Sequence, residues 1–185
     1  MGSFKFKKST LSCKQRFARN AASFTVPCSI LAPELRLGCP FEDRCSMTQD
    51  ALVARILTEV KLIALVGWSP KPDRPSHRVA AYLAGRGYRI IPVNPGQAGV
   101  LTPWGEVVRA ALSDIAEPVD MIDIFRAPAE VGPVVEEAIA RLSGRRAIWM
   151  QLGVINEAAA QTAAEAGLEV VMDRCPAIEI PRLGL

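Results

Sequence analysis

Long apolar runs are missing from this sequence. None approaches the ~20 residues that cross a bilayer, so a soluble protein without a membrane span is expected. Histidine occurs once, at position 77, which leaves little room for histidine-based catalysis or metal ligation. Cysteine is scarce where a core would need it. Cys13, Cys28, Cys39 and Cys45 fall in the first 46 residues and Cys175 alone in the remainder, which excludes a disulfide framework and points to an intracellular, cytoplasmic setting. Cys39 and Cys45 are too far apart for a C-x-x-C pair, and Asp120, Asp123 and Asp173 lack metal-site spacing. An excess of positive charge is also missing from the body of the chain. Residues 1–46 carry eight Lys/Arg against three Asp/Glu, leaving 14 against 16 for the rest, so the formal net charge of +3 comes from the leading segment. The body is not a basic nucleic-acid surface, and its expected partners are small molecules or other proteins.

What is present suits one ordinary core: 185 residues, half of them apolar. Residues 1–46 lack sustained periodicity, whereas the sequence from Met47 onward is rich in Ala, Val, Gly and Arg. The stretch before Glu34 is acid-free, basic and Ser-containing, which fits an organellar transit peptide. Met47, directly ahead of a helix start, fits equally an initiator that leaves residues 1–46 as an over-long start. On either view residues 1–46 stand outside the fold and residues 47–185 form the domain. Thr48 or Asp50 is placed to cap a first helix with Leu52, Val53, Ile56, Leu57 and Val60 on one stripe.

The organising stretch is Lys61 to Pro95. Leu62 to Val66 is an apolar run of the kind that forms a strand buried on both faces, and it ends at Gly67. A Pro-rich loop leads to Ser76, which opens a helix with Val79, Ala80 and Leu83 inward, stopped by Gly85 and Gly87. Tyr88 to Val93 is the second strand. Three more strands are expected at Val119–Phe125, Ala147–Gln151 and Leu168–Asp173, with helices between them over 131–142, restarting after Gly132-Pro133, and over 156–166. Between Gly96 and Pro118, Trp104, Val107, Val108, Ala111 and Leu112 fit a helical stripe that Pro103 and Gly105 interrupt, so a short strand and turn fits as well. The pattern predicts a single α/β domain: a Rossmann-like, doubly wound, mainly parallel five-stranded sheet whose ligand site lies beyond the carboxyl ends of the strands.

The loop "GWSPKPDRPS" is neither the dinucleotide fingerprint nor a phosphate-binding P-loop. A glycine turn at a helix mouth still offers amide hydrogens to an anion, with Ser69, Lys71, Arg74 and Ser76 as added donors. The plainer alternative is that Ser76 caps its helix while Lys71 and Arg74 are solvated. At the end of the second strand Asn94 stands where an NAD site places an acid for the ribose hydroxyls, which weakens the case for NAD.

Five blocks in order, "IALVGWSPKPDRPSHRVAAYL", "YRIIPVNP", "VDMIDIFR", "WMQLGVIN" and "GLEVVMDRCPAIE", resemble the small stand-alone CoA-binding proteins, whose domain is similar to the nucleotide-binding part of the succinyl-CoA synthetase alpha subunit. The resemblance covers about Asp50 to Leu183 and implies coenzyme A as the ligand. It implies that Gly67, Trp68, Ser69, Lys71, Arg74 and Ser76 hold the phosphates, that Val93, Asn94 and Pro95 face the nucleotide, and that Phe125, Arg126, Gln151 and Gly153 line the same crevice. The region from Gly96 to Ile115 departs from the pattern. Arg126 has an alternative as a solvated partner of Asp123 or Glu130. The function implied is a non-catalytic CoA or acyl-CoA binding module, carrier or sensor, with a homodimer or an acyl-CoA enzyme as partner. The alternative is a small NAD(P)- or CoA-dependent enzyme using Cys175 or His77; with no substrate domain in the sequence, the binding module is favoured.

Overall fold

The apolar runs become five parallel strands: β1 (Leu62–Val66), β2 (Arg89–Val93), β3 (Met121–Ile124), β4 (Ala147–Met150) and β5 (Glu169–Val171). They stand in the order β2-β1-β3-β4-β5 in a computed structural model that describes residues 48–185. All four pairings are parallel, as expected for runs apolar on both faces. The expectations for residues 1–46 lie outside the described residues.

Strand periodicity sorts the core into two layers. Ile63, Leu65, Ile90, Met121, Trp149 and Val171 pack against α1 (Gln49–Glu59), α2 (Pro75–Gly85) and α5 (Pro176–Leu183). Ala64, Val66, Ile91, Ile122, Ile124 and Ile148 pack against α3 (Val131–Arg141) and α4 (Glu157–Glu165). The sheet is therefore a middle layer, with α1, α2 and α5 on one side and α3 and α4 on the other.

Local chemistry sets the element ends. Thr48 caps α1 by accepting from the Ala51 N–H at 3.2 Å, and Asn156 caps α4 by accepting from Ala159 at 2.9 Å. Asp120 accepts from the Lys61 and Leu62 amides, both at 2.9 Å, and so fixes where β1 begins beside β3. Pro133 sits in the first turn of α3, where its missing N–H has no helical partner to lose. The helix consequently runs without the expected restart.

The region open to either a helical stripe or a short strand and turn takes the second form, and one helix differs from expectation. The segment after β2 forms no α-helix; Leu101 bridges Val107 antiparallel, Val93 bridges Arg109, and a short 3-10 turn follows at Leu112–Asp114. Helix α5 was not anticipated, because Pro176 and Pro181 break its pattern. It is held by Ile180 in the core and by Arg182, which donates to Asp50 at 2.6 and 2.9 Å and to Glu179 at 2.8 Å. No helix among the described residues is long and apolar enough to cross a membrane.

Gly67 ends β1 at φ +90°, and a Cβ there would lie 2.4 Å from the Phe125 carbonyl oxygen. Backbone crowds this position and cannot yield as a flexible side chain can. Gly67→Ala is expected to destabilise by roughly 2–5 kcal/mol. Gly153→Ala, at φ +75° with open space around it, should cost only about 1–2 kcal/mol. Urea denaturation of the two variants checks the contrast, and equal losses would contradict the close approach at Gly67.

Candidate functional site

Chain direction creates the cleft. From β1 the chain crosses to α2 on one face, and from the adjacent β3 it crosses to α3 on the other. A crevice opens where neighbouring connections diverge. Here it is a cleft of about 680 Å³, within the usual range for small-molecule sites.

One end is cationic and rich in donors. The Gly67 N–H is engaged by the Val93 carbonyl at 2.9 Å, but the amides of Trp68, Ser69 and Ser76 donate to no acceptor among the described residues. Lys71 and Arg74 line this end, exposed and without a carboxylate partner among the described residues. Arg74 is the N-cap residue of α2 and Pro75 its first helical position, so Ser76 does not cap the helix. Instead Ser76 is buried and lines the cleft.

The wall behind this end is aromatic. Trp68 is 1% exposed, with His77 stacked on it at 5.9 Å and Trp104 edge-on at 6.1 Å. The Trp68 indole N–H has no acceptor among the described residues. His77 Nδ1 lies 3.2 Å from the Ser69 carbonyl oxygen, so the ring props the loop and does not line the cleft.

The other end is mostly apolar: Phe125, Leu152, Val154 and Cys175, with Gln151 among them. Burial pushes the Cys175 thiol above its ordinary range, which keeps it protonated and a poor nucleophile. Beneath Gln151 lies Asp123, fully buried, accepting from Gln151 Nε2 at 2.9 and 3.1 Å. Desolvation raises this carboxyl to about 7, and the Gln151 hydrogen bonds offset only part of the effect.

Of the expected site residues, Gly67, Trp68, Ser69, Lys71, Arg74, Ser76, Asn94, Phe125 and Gln151 come together around the cleft. Val93, Pro95, Arg126 and Gly153 do not line it. Val93 is buried in the α3/α4 layer, and Pro95 opens an exposed 3-10 turn. Arg126 points to Glu130 at 3.9 Å, the solvated alternative. Gly153 makes the turn after β4 and donates to Asp173 at 2.7 Å. Asn94 reaches the cleft, but its amide is committed: Nδ2 donates to the Trp68 carbonyl at 2.6 Å and Oδ1 accepts from Gly96 at 2.9 Å. It ties the two loops together.

Pro75, Val79, Leu152 and Val154 also line the cleft without having been singled out. The signals were present. Pro75 and Val79 share one face of α2 at i, i+4, and Leu152 and Val154 flank the turn glycine next to Gln151. Cys175, considered earlier only as a reactive group, is a wall residue because α5 begins immediately after it.

An all-parallel sheet of this order, with a glycine turn and a cleft at the divergence of its connections, defines a Rossmann-like ligand-binding domain. Residues 61–181 match the CoA binding domain family, and the chain belongs to that family. Among its relatives is "Uncharacterized protein YneT" of Bacillus subtilis (strain 168), 38% identical over 125 residues, covering 68% of this chain and 89% of the relative. A hypothetical protein from Pyrococcus horikoshii OT3 superposes with a TM-score of 0.68 at 38% identity, over 76% of this chain and 94% of that one. Cell-free ID.343 from Thermus thermophilus gives the same score and identity over 74% and 99%.

The raised Asp123 carboxyl has a sign that can be checked. The folded chain binds this proton more tightly than the unfolded chain, so stability falls as pH rises from the ordinary carboxylate range through about 7 and is level above it. Asp123→Asn keeps the shape and removes this slope. Relative to wild type it should gain roughly 2–3 kcal/mol between pH 5 and pH 8, read from urea midpoints at both values. A difference that does not change with pH would mean that Asp123 titrates in the ordinary range.

Proposed function

We propose that the cleft binds coenzyme A or an acyl-CoA and that the protein acts as a non-catalytic binding module, carrier or sensor. The observation that carries this reading is the chemical contrast between the two ends of one cleft. At the α2 mouth, five cleft-lining residues, Trp68, Ser69, Ser76, Lys71 and Arg74, carry three amides and two cations without partners among the described residues. Amides and cations together suit a diphosphate, because charge-assisted hydrogen bonds are shorter and stronger than neutral ones. Toward β4 the lining turns apolar, which suits the uncharged arm of CoA and any short acyl group on its thiol.

Membership in the CoA binding domain family supports the same ligand. An NAD-type ribose contact finds little support, since both ends of the Asn94 amide are already hydrogen-bonded within the protein. Chemistry at His77 is not favoured by a ring packed against both Trp68 and Trp104 and off the cleft, nor at Cys175 by a thiol that burial holds protonated.

A thermal-shift comparison of CoA, acetyl-CoA, NAD, NADP and ATP tests the reading. CoA or acetyl-CoA at a hundredfold excess over Kd should stabilise the protein by about 2.7 kcal/mol. A shift with NAD and none with CoA would overturn it. Lys71→Ala and Arg74→Ala flank the free amides, so each should weaken CoA and dephospho-CoA alike, by roughly tenfold. Losses confined to CoA would move these cations from the diphosphate to the ribose phosphate.

A further inference from the structure

Asp123 is an expensive residue that nothing above employs. On β3 it faces the α1/α2/α5 layer, with Leu65 of β1 and Trp149 of β4 as register neighbours. The one side chain that bonds it among the described residues is Gln151. Among the described residues no cation offsets its burial. Of the other titratable groups on elements packed there, Cys175 bears on it from the start of α5, while Glu179 is held by Arg174 and Arg182, and Asp50 of α1 by the same two arginines.

An asparagine would fill the same space without the cost of burying a charge. What a carboxylate adds is that it only accepts hydrogen bonds. Facing such a group, the Gln151 amide has one satisfied orientation, with its nitrogen inward. Its oxygen is then the group left for the cleft. Gln151 lines the cleft at 5% exposure, and its Oε1 accepts from no donor among the described residues. It is a single polar acceptor among Phe125, Leu152, Val154 and Cys175.

The end of β4 lies two strands from the end of β1, about 10 Å across the sheet. A CoA molecule with its diphosphate on the β1 loop would carry its pantetheine arm in this direction. That arm contains two secondary amides, and an amide N–H entering apolar surroundings without an acceptor is costly. We propose that Asp123 is a positioning residue: by holding the Gln151 amide nitrogen inward it presents the Gln151 oxygen as the acceptor for a pantetheine amide N–H, an assignment that rests on CoA occupying this cleft.

Protonation of Asp123 undoes the arrangement, because a carboxylic acid can donate to Gln151 Oε1 and allow the amide to turn over. Neutral pH is where this happens, with the carboxyl raised to about 7. Asp123 therefore makes grip on the arm stronger at pH 8 than at pH 6, while grip on the nucleotide is unaffected.

Calorimetric titration of the full chain with CoA and with 3′-phospho-ADP, which lacks the arm, tests this at pH 6 and pH 8. At pH 8, Asp123→Asn and Gln151→Met should each weaken CoA by roughly tenfold and leave 3′-phospho-ADP unchanged. At pH 6 wild type and Asp123→Asn should bind CoA within about twofold of each other, since the wild-type carboxyl is then mostly protonated. Comparing the two proteins at each pH cancels the titration of the ligand's own phosphates. Equal losses for both ligands, or a CoA deficit in Asp123→Asn that is the same at both pH values, would overturn the positioning role. Binding of neither ligand to wild type would instead remove the CoA reading and this assignment with it. Retention of both ligands with no contrast between them removes the assignment alone.

Discussion

The site depends on the parting of two neighbouring connections. β1 and β3 are hydrogen-bonded neighbours, yet the chain leaves one toward α2 and the other toward α3 on the opposite face. No helix can cover the gap between them. The backbone closes as far as sterics permit: the Phe125 N–H donates to Val66 at 2.8 Å, and the Phe125 carbonyl stands where a Cβ on Gly67 would be. Glycine allows β1 to turn without pushing β3 away, and so sets the depth of the floor on which a ligand would rest.

Around that floor the protein has left polar groups uncommitted at one end and nearly none at the other. Several other polar side chains are instead occupied. Asp120 holds the start of β1, Asn94 joins two loops, and Asp173 closes the turn after β4. Against that background the amides of Trp68, Ser69 and Ser76, unpaired among the described residues, stand out, because buried backbone donors are ordinarily satisfied. Donors left free in this way remain available to an anion, whereas internal hydrogen bonds would occupy them. The cations beside them cost little to keep, since an exposed Lys or Arg remains solvated until a ligand arrives.

Much of this was legible in the chain. The strands read as apolar runs because a parallel sheet covered on both faces tolerates little else, and Val79, Ala80 and Leu83 marked the inner face of α2. The lining of the cleft was legible where it depends on loops of fixed length after strands, which is why Gly67, Trp68, Ser69, Lys71, Arg74, Ser76, Phe125 and Gln151 border it together. It was not legible where side-chain partners decide. Asn94 looked available, but the carbonyl of Trp68, 26 positions away, takes its amide. Ser76 looked like a cap, but Pro75 starts the helix one residue sooner. Helix α5 was hidden because Pro181 violates propensity, and tertiary contacts to Asp50 and the core prevail over that local penalty.

Asp123 belongs to a third category, visible in the sequence but without meaning there. In "VDMIDIF" it reads as one of two carboxylates in a mostly apolar strand, without metal-site spacing and with Arg126 as a candidate partner. In a sheet covered on both faces there is no solvent side, so a carboxyl on either face is enclosed. The fold itself therefore converts a residue of ordinary appearance into one whose charge is disfavoured near neutral pH. Because β4 ends beside it, the one side chain that bonds it among the described residues is an amide that also borders the cleft. The buried carboxyl and the cleft consequently share one side chain, Gln151, and this adjacency follows from sheet topology before any ligand is considered.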